Sequence, residues 1–109
     1  MSEQDITREV IRAINATGCA FVWRNQSGKV QVRRGWMHLA PEGSPDIVGF
    51  TTPGGRCIGL ETKRPKDSRI ADAQEDVRER LAKAGGICGY VRSVDEAVRL
   101  VMGAVRVAS

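Results

Sequence analysis

A turn-forming segment near the middle of the chain constrains the fold more than any other sequence feature. Residues 51–55 read Thr-Thr-Pro-Gly-Gly, and an apolar segment lies on each side of them. Because proline and glycine favour the backbone angles of tight turns, this pattern predicts a β-hairpin with strands over residues 46–50 and 56–63. Pro65 then ends the second strand, since proline lacks the N–H that a central strand needs.

The predicted hairpin places two carboxylates against each other. If Pro53 and Gly54 form the middle of the turn, Asp46 lies directly opposite Glu61, with the two Cβ atoms ~5 Å apart. Like charges in that position destabilise a sheet unless a counter-charge lies between them. A divalent cation supplies that charge, because Mg²⁺ is typically held by one or two carboxylates together with substrate phosphates. Asp46 and Glu61 are therefore candidate metal ligands.

A lysine follows on the same strand. Lys63 comes two residues after Glu61, so both side chains point to one face while Thr62 points to the other. An ammonium group there can orient the attacking water and stabilise charge on a phosphate in the transition state. We expect Gly59, on the same face, to leave room for a substrate backbone. The alternative is an ordinary surface pair of Glu61 and Lys63 with Asp46 as a turn residue.

The remaining segments predict one α/β domain over residues 1–109. Amphipathic or capped segments indicate helices over residues 5–17, 71–84 and from 93 onward. Strands are indicated over residues 19–24, 29–34 and 87–91, the second returning beside the first, and residues 35–45 are expected to form a long loop. The predicted fold is an αβββαβ core with an additional C-terminal helix, its mixed central sheet flanked by helices.

Two segments of the central hairpin resemble a known nuclease signature. Gly-Ser-Pro-Asp-Ile-Val-Gly-Phe at 43–50, followed by Gly-Leu-Glu-Thr-Lys-Arg at 59–64, is similar to the motif of the PD-(D/E)XK nucleases. The chain resembles more narrowly the VRR-NUC family, the virus-type replication-repair nucleases, from roughly Arg33 to Leu100. This resemblance implies a restriction-endonuclease-like fold, ligation of Mg²⁺ or Mn²⁺ by Asp46 and Glu61, and a catalytic lysine at Lys63. Stand-alone members are small, often phage-encoded homodimers that cut branched DNA, notably four-way (Holliday) junctions.

Two more side chains are candidates for the site. Glu9 lies at the edge of the apolar stripe of the first helix, so periodicity alone favours a boundary charge. The resemblance to nucleases with a glutamate on this helix favours a site residue and metal ligand. Gln74 has the helical spacing of the apolar residues, and a buried amide without partners would cost ~1–3 kcal/mol. In the family a glutamine on this helix lies at the active site, where it could hold a ligand, Lys63 or the water; the alternative is a core glutamine bonded elsewhere.

The cations are unevenly distributed along a chain of net charge +4. No acid interrupts residues 24–36, which contain four cations, and more cations follow the predicted Glu-Thr-Lys strand. These segments predict contacts to DNA phosphates, although a solvated basic face would have the same composition. The predicted DNA-contacting residues are Arg33, Arg34, Arg64 and Lys66. For Trp36 we favour packing on the hairpin over stacking on a DNA base. As the general base we favour a metal-bound water with Lys63 over His38.

Other features narrow the class of protein. No apolar run approaches the ~20 residues of a membrane span, and the acidic N-terminus is unlike a secretory signal. The three cysteines are odd in number and far apart, which predicts reduced core thiols and not a disulfide framework or zinc site. Both points favour the cytoplasm of a bacterium or of a phage-infected host cell.

Together these features predict a Mg²⁺- or Mn²⁺-dependent endonuclease that acts on four-way DNA junctions as a homodimer. The alternatives are a nuclease for flaps or other branched DNA, a non-catalytic DNA-binding domain that retains the nuclease fold, and an interaction subunit whose charges are incidental. Two apolar surfaces are candidates for the dimer interface. They are the loop residues Trp36, Met37 and Leu39, and the last-helix residues Val98, Val101, Met102 and Val105.

Overall fold

A computed structural model describes residues 2–26, 29–38, 40–67 and 69–108. The described chain forms three helices, a four-stranded sheet and a separate two-stranded sheet. In chain order the elements are α1 (Glu3–Ala16), β1 (Ala20–Arg24), β2 (Lys29–Val32), β3 (Gly35–His38), β4 (Ile47–Thr51), β5 (Cys57–Thr62), α2 (Asp72–Lys83), β6 (Ile87–Val91) and α3 (Val94–Ala108).

The main sheet is mixed, with the strand order β1-β4-β5-β6. Strand β4 lies between β1 and β5 and is antiparallel to both, and β6 runs parallel to β5 after the α2 crossover. With the β2–β3 hairpin set aside, the element order is αβββαβ followed by α3, which confirms the predicted core. None of the helices in the described residues is both long and apolar enough to cross a membrane.

The core lies between the main sheet and the pair of helices α1 and α3. Ile58 and Leu60 of β5 are fully buried there, together with apolar side chains from both helices. Helix α1 begins at a capping box in which the Ser2 hydroxyl and the Asp5 carboxylate bond each other's backbone N–H. Helix α2 covers the opposite face of the sheet, over β5 and β6. Strand β5 is therefore covered on both sides.

The predicted register of the central hairpin is confirmed. Phe50 pairs with Cys57 and Ile47 pairs with Leu60, so the next position outward brings Asp46 opposite Glu61. The apolar alternation on β5 fixes this register, because a shift by one residue would turn Ile58 and Leu60 away from the α1–α3 core and Glu61 into it.

The first predicted hairpin is wrong. Strand β1 pairs with β4, with Phe21 beside Phe50, whereas β2 pairs only with β3. The strand predicted over residues 29–34 ends at Val32, and Arg33 and Arg34 form the turn into β3. Part of the expected 35–45 loop is therefore a strand. The predicted turn residues Ser27 and Gly28, and Leu39, lie outside the described residues.

Two glycines hold the chain close to α2. A Cβ at Gly59 would collide with the side chains of Leu81 and Pro45, so this glycine serves packing and leaves no opening for substrate, contrary to prediction. Gly43 has a φ of +85°, and a Cβ there would collide with the backbone of Ala73 at the start of α2. The segment leading to Asp46 is thus fixed against the helix that carries Gln74.

One further prediction about apolar residues is wrong. The cysteines are free, but Cys57 is exposed and Cys19 and Cys88 are partly exposed, so none is a core thiol. The apolar face of α3, one of the two candidate dimer surfaces, packs largely into the domain: Val101 is buried in the core, and the partly buried Val98 and Val105 pack against it.

Candidate active site

Asp46 lies just beyond the last backbone pair of β4 and β5, and its side chain bonds the end of β5. Its Oδ2 accepts a hydrogen bond from the backbone N–H of Thr62 at 3.0 Å and another from the Thr62 hydroxyl at 2.9 Å. On its other side, Asn25 donates its backbone N–H to the Asp46 carbonyl at 2.7 Å and its side-chain amide to the Pro45 carbonyl at 3.0 Å. Asp46 is therefore held from both sides, its carboxylate by Thr62 and its backbone by Asn25.

Glu61 is 8% exposed and is hydrogen-bonded to Asp46. Burial, then the hydrogen bond to Asp46 and its negative charge, raise the pKa of Glu61 from 4.5 to about 9, and the Lys63 charge opposes them. At neutral pH without a cation, Glu61 therefore carries a proton. This pair has the close contact that the register predicts.

Lys63 lies beside this pair with only 7% of its surface exposed. Its ammonium donates to the Gln74 Oε1 at 3.0 Å, and the same oxygen accepts the Ala71 N–H at 3.1 Å. The second bond fixes the glutamine amide at the start of α2. Gln74 thus holds Lys63, one of the roles considered from sequence, and it also bonds the backbone at the start of α2.

A cleft of about 270 Å³ opens beside Asp46. It lies between the start of α1 and the adjoining ends of β1, β4 and β5. The residues lining it are Glu3, Gln4, Thr7, Arg24, Asn25, Gln26, Asp46 and Thr62. Asp46 lines this cleft, whereas Glu61 lies with Gln74 against a much smaller cavity on the α2 side of the sheet, so a phosphodiester in the cleft would meet Asp46 first.

The glutamate that α1 contributes to this cleft is Glu3, not Glu9. Glu9 points elsewhere and lies 3.5 Å from the Arg12 guanidinium, whereas Glu3 lines the cleft and its charge contributes to raising the pKa of Glu61. At ~100° per residue, Ile6, Val10, Ala13 and Ile14 span a sector of ~100°; Glu3 falls inside it and Glu9 about 40° outside. The sequence alone therefore places Glu3, and not Glu9, within the apolar stripe of α1.

The donor set suits a hard divalent cation. Within the described residues, no group of three histidine, cysteine or acidic side chains is close enough to form a metal site. Asp46 and Glu61 nevertheless present two adjacent carboxyl groups, and a divalent cation can replace the proton that Glu61 carries. An ion with two protein carboxylates, waters and substrate phosphates is the usual arrangement for Mg²⁺.

The predicted DNA-contacting residues lie outside the cleft. Arg33 and Arg34 are exposed at the tip of the β2–β3 hairpin, and Arg64 and Lys66 are exposed on the loop after β5. Trp36 on β3 has 61% of its surface exposed. His38 ends β3, and its side chain lies outside the described part of the structure.

The fold is shared with a known nuclease domain. No model of a protein family and no curated protein sequence matches the chain. A solved structure described as "VRR_NUC domain" superposes with a TM-score of 0.66 at 21% sequence identity, covering 92% of this chain and 94% of that one. This chain has the fold of a VRR_NUC domain. The likeness supports the VRR-NUC resemblance of the Gly-Ser-Pro-Asp and Glu-Thr-Lys segments.

The carboxyl pair of this VRR_NUC fold predicts a pH-dependent stability. In metal-free buffer, the free energy of unfolding should fall as pH rises from 4.5 to about 9. The folded protein keeps a proton on Glu61 that the unfolded chain has released, so the stabilisation is complete below the unfolded pKa and disappears above the folded one. Thermal unfolding in EDTA at several pH values measures this dependence.

The matched variant is Glu61→Gln, which cannot ionise and should flatten the profile. Saturating Mg²⁺ should raise the melting temperature of the unsubstituted protein most at high pH, because the ion competes with the proton on Glu61. Identical pH profiles for the two proteins in EDTA would contradict the raised pKa.

Proposed function

We propose that the protein is a divalent-metal-dependent DNA nuclease of the VRR-NUC type. The observation that carries this proposal is the contact of the partly buried Asp46 with the buried Glu61, with Lys63 beside it. A surface salt bridge, the alternative considered from sequence, would be solvent-exposed, whereas Glu61 and Lys63 are 8% and 7% exposed. Burying an acid against a second acid is destabilising without a bound proton or cation, so such a pair is characteristic of a functional site.

Each residue has a distinct role in the proposed hydrolysis. Asp46 and Glu61 would hold one or two Mg²⁺ or Mn²⁺ ions, with Glu3 facing them across the cleft. When bound, the cation supplies a water of lowered pKa and neutralises charge on the phosphate. Gln74 fixes Lys63, whose remaining ammonium protons can bond a phosphate oxygen or orient the attacking water. We assign Glu9 no role in hydrolysis, because its carboxylate forms an ion pair with Arg12.

The distribution of ion pairs supports DNA binding by the hairpin and loop cations. Five helix arginines pair with an acid three or four residues away or next to them: Arg8, Arg12, Arg78, Arg80 and Arg99. Within the described residues, no ion pair neutralises Arg33, Arg34, Arg64 or Lys66. Their charges therefore remain available for backbone phosphates, which fix a protein on DNA without reading sequence.

We propose that the substrate is branched DNA, with the four-way junction preferred, in the cytoplasm of a bacterium or phage-infected cell. Nothing in the described fold resembles a recognition helix or another base-reading module. Selectivity then depends on DNA shape and on protein symmetry. Flaps or other branched DNA remain the alternative substrates, and a non-catalytic DNA-binding domain is the alternative function.

A two-fold homodimer would match the symmetry of a four-way junction, whose resolution needs two related incisions. Much of the α3 face is packed internally. The exposed large apolar side chains of the described residues include an aromatic cluster of Phe21, Trp23 and Phe50 and the β3 residues Trp36 and Met37; Val32 and Ile70 are also exposed. The cluster rings lie 5.8–6.2 Å apart, on the half of the sheet face that α2 leaves open. We propose the aromatic cluster as the dimer interface, because it is the larger contiguous apolar patch.

The catalytic proposal predicts that Lys63→Ala abolishes cleavage of a labelled four-way junction. Because Lys63 is buried, Lys63→Met is the sharper variant: it keeps the length of the side chain and removes the charge. We expect a loss of about 100-fold or more in either variant. Asp46→Asn should also be inactive, while Lys83→Met, on the exposed end of α2, should cut normally.

These rates are measured with Mg²⁺, with Mn²⁺ and with EDTA, on junction, flap and linear duplex DNA. Near-normal cleavage by Lys63→Met would contradict the mechanism. Junction binding without cleavage in either metal would favour the non-catalytic DNA-binding domain, and absence of DNA binding at low salt would favour an interaction subunit.

The DNA-contact proposal predicts a steep salt dependence of binding. Each phosphate contact on duplex DNA contributes about −0.9 to the slope of log affinity against log salt concentration. Replacing both Arg33 and Arg34 with alanine should therefore flatten the slope by about one to two. The control is Arg80→Ala with Arg99→Ala, which removes two arginines that pair with neighbouring acids. Equal slopes for the hairpin variant and the unsubstituted protein would assign Arg33 and Arg34 to the solvated surface.

The dimer proposal predicts roughly twice the 11.9 kDa chain mass in light scattering at micromolar concentration. Phe21→Ser with Trp23→Ser should convert the protein to a monomer and abolish paired incisions. Trp36→Ser with Met37→Ser tests the other surface and should leave the dimer intact. An unsubstituted monomer that still makes symmetric paired cuts would refute the argument from symmetry.

A further inference from the structure

The residue between Glu61 and Lys63 contacts the metal-site carboxylate from the opposite side of the sheet. Thr62 is 3% exposed, and its side chain lies on the α1 side of β5. Both its backbone N–H and its hydroxyl bond the same oxygen of Asp46, Oδ2, at 3.0 and 2.9 Å. Two donors on one oxygen fix the rotation of the carboxylate and leave the second oxygen without these contacts.

A second buried threonine lies behind the first. The Thr7 hydroxyl on α1 is 2.7 Å from the Thr62 hydroxyl, and it is also 2.8 Å from the Glu3 carbonyl. Each hydroxyl has a single proton. If Thr62 gives its proton to Asp46, its oxygen can accept from Thr7, whose single proton then divides between the Thr62 oxygen and the Glu3 carbonyl; this arrangement gives a chain from Thr7 through Thr62 to Asp46. Thr7 is 4% exposed, so water does not compete for these bonds.

Packing alone does not account for this chain. Two valines would fill the contact between α1 and β5 without burying hydroxyl groups, and burial of a polar group is favourable only when it is well bonded. The charged Asp46 carboxylate is the partner that makes hydrogen bonding strongest here. The hydroxyl chain therefore has a carboxylate as its end point.

We propose that Thr62 is a positioning residue that orients Asp46 for cation binding, with Thr7 holding the Thr62 hydroxyl in its donating position. The inference rests on the proposed function, because it assumes that Asp46 binds the cation. It adds that α1 controls the affinity of the site through a hydroxyl pair as well as through Glu3. Partners that orient a metal ligand typically account for about 10- to 100-fold in metal affinity or activity.

The test is calorimetric titration of Mn²⁺ into the intact protein, with cleavage measured against Mn²⁺ concentration. Thr62→Val keeps the shape and the backbone donor but removes the hydroxyl. We expect it to raise the dissociation constant for Mn²⁺ and the Mn²⁺ concentration at half-maximal rate by about 10-fold or more. At saturating Mn²⁺, kcat should change much less, and DNA affinity in EDTA should not change.

Three further variants separate positioning from a general loss of stability. Thr62→Ser keeps the hydroxyl and should restore Mn²⁺ affinity. Thr7→Val should weaken Mn²⁺ binding less than Thr62→Val, and the double variant should bind as Thr62→Val does, since both changes break one chain. The control Thr51→Val removes another buried hydroxyl, which bonds the Arg56 N–H at the far end of β4, and should leave Mn²⁺ affinity unchanged.

The outcomes distinguish this inference from the proposed function. If the unsubstituted protein binds Mn²⁺ and Thr62→Val binds it equally well, the positioning role is wrong and the nuclease proposal stands. The role is equally wrong if Thr51→Val weakens Mn²⁺ binding as much as Thr62→Val does. If the unsubstituted protein neither binds Mn²⁺ nor cuts DNA, the proposed function fails and the inference fails with it.

Discussion

The antiparallel register between β4 and β5 brings two carboxyl groups together where the sheet is covered on both sides. Asp46 and Glu61 meet because the turn fixes which residues pair, and because Ile58 and Leu60 must face the α1–α3 core. A slip of one residue would place the acids on opposite faces and turn Ile58 and Leu60 away from the core. The same apolar contacts that stabilise the domain therefore also set the geometry of the site.

The domain tolerates this acid pair because every polar group around it has a partner. Glu61 keeps a proton, Asp46 accepts bonds from Thr62, and Lys63 donates to Gln74. Among the described residues, no buried side-chain nitrogen or oxygen lacks a hydrogen bond. A bound cation would replace one proton in a network that is already formed. Such a site needs little rearrangement on binding, which is the condition for effective electrostatic stabilisation of a transition state.

The parts of the site that local pattern controls were predictable from the sequence. The turn fixed the position of Asp46 opposite Glu61, strand alternation placed Lys63 beside them, and helical spacing turned Gln74 inward, where it contacts Lys63. Glu3 was missed although helical periodicity places it on the buried stripe, because it begins the helix and resembles an ordinary first-turn acid.

Contacts between distant segments were not predictable in the same way. Sequence proximity favoured pairing β1 with the next strand, but β1 pairs with β4, more than twenty residues later. The partner of β1 depends on which pairing buries the apolar residues of β1 against α1, and no local sequence pattern indicates that partner. The burial of Glu61 and Lys63 under α2 and the Thr7–Thr62 contact depend likewise on how helices pack on the finished sheet.

The direct β1–β4 pairing has a consequence for DNA recognition. Because β1 pairs with β4 without β2 or β3, the β2–β3 hairpin is an insertion outside the main sheet. Its length and its arginine-bearing tip can change without altering the register that joins Asp46 to Glu61. The loop with Arg64 and Lys66, by contrast, follows Lys63 directly and is fixed relative to the site. If the protein is the proposed nuclease, the Arg64 and Lys66 loop would keep a fixed position relative to the active site, and the hairpin would set the distance at which the duplex is held. In a nuclease that reads DNA shape, the separate hairpin is the element whose variation would change which branched structure fits.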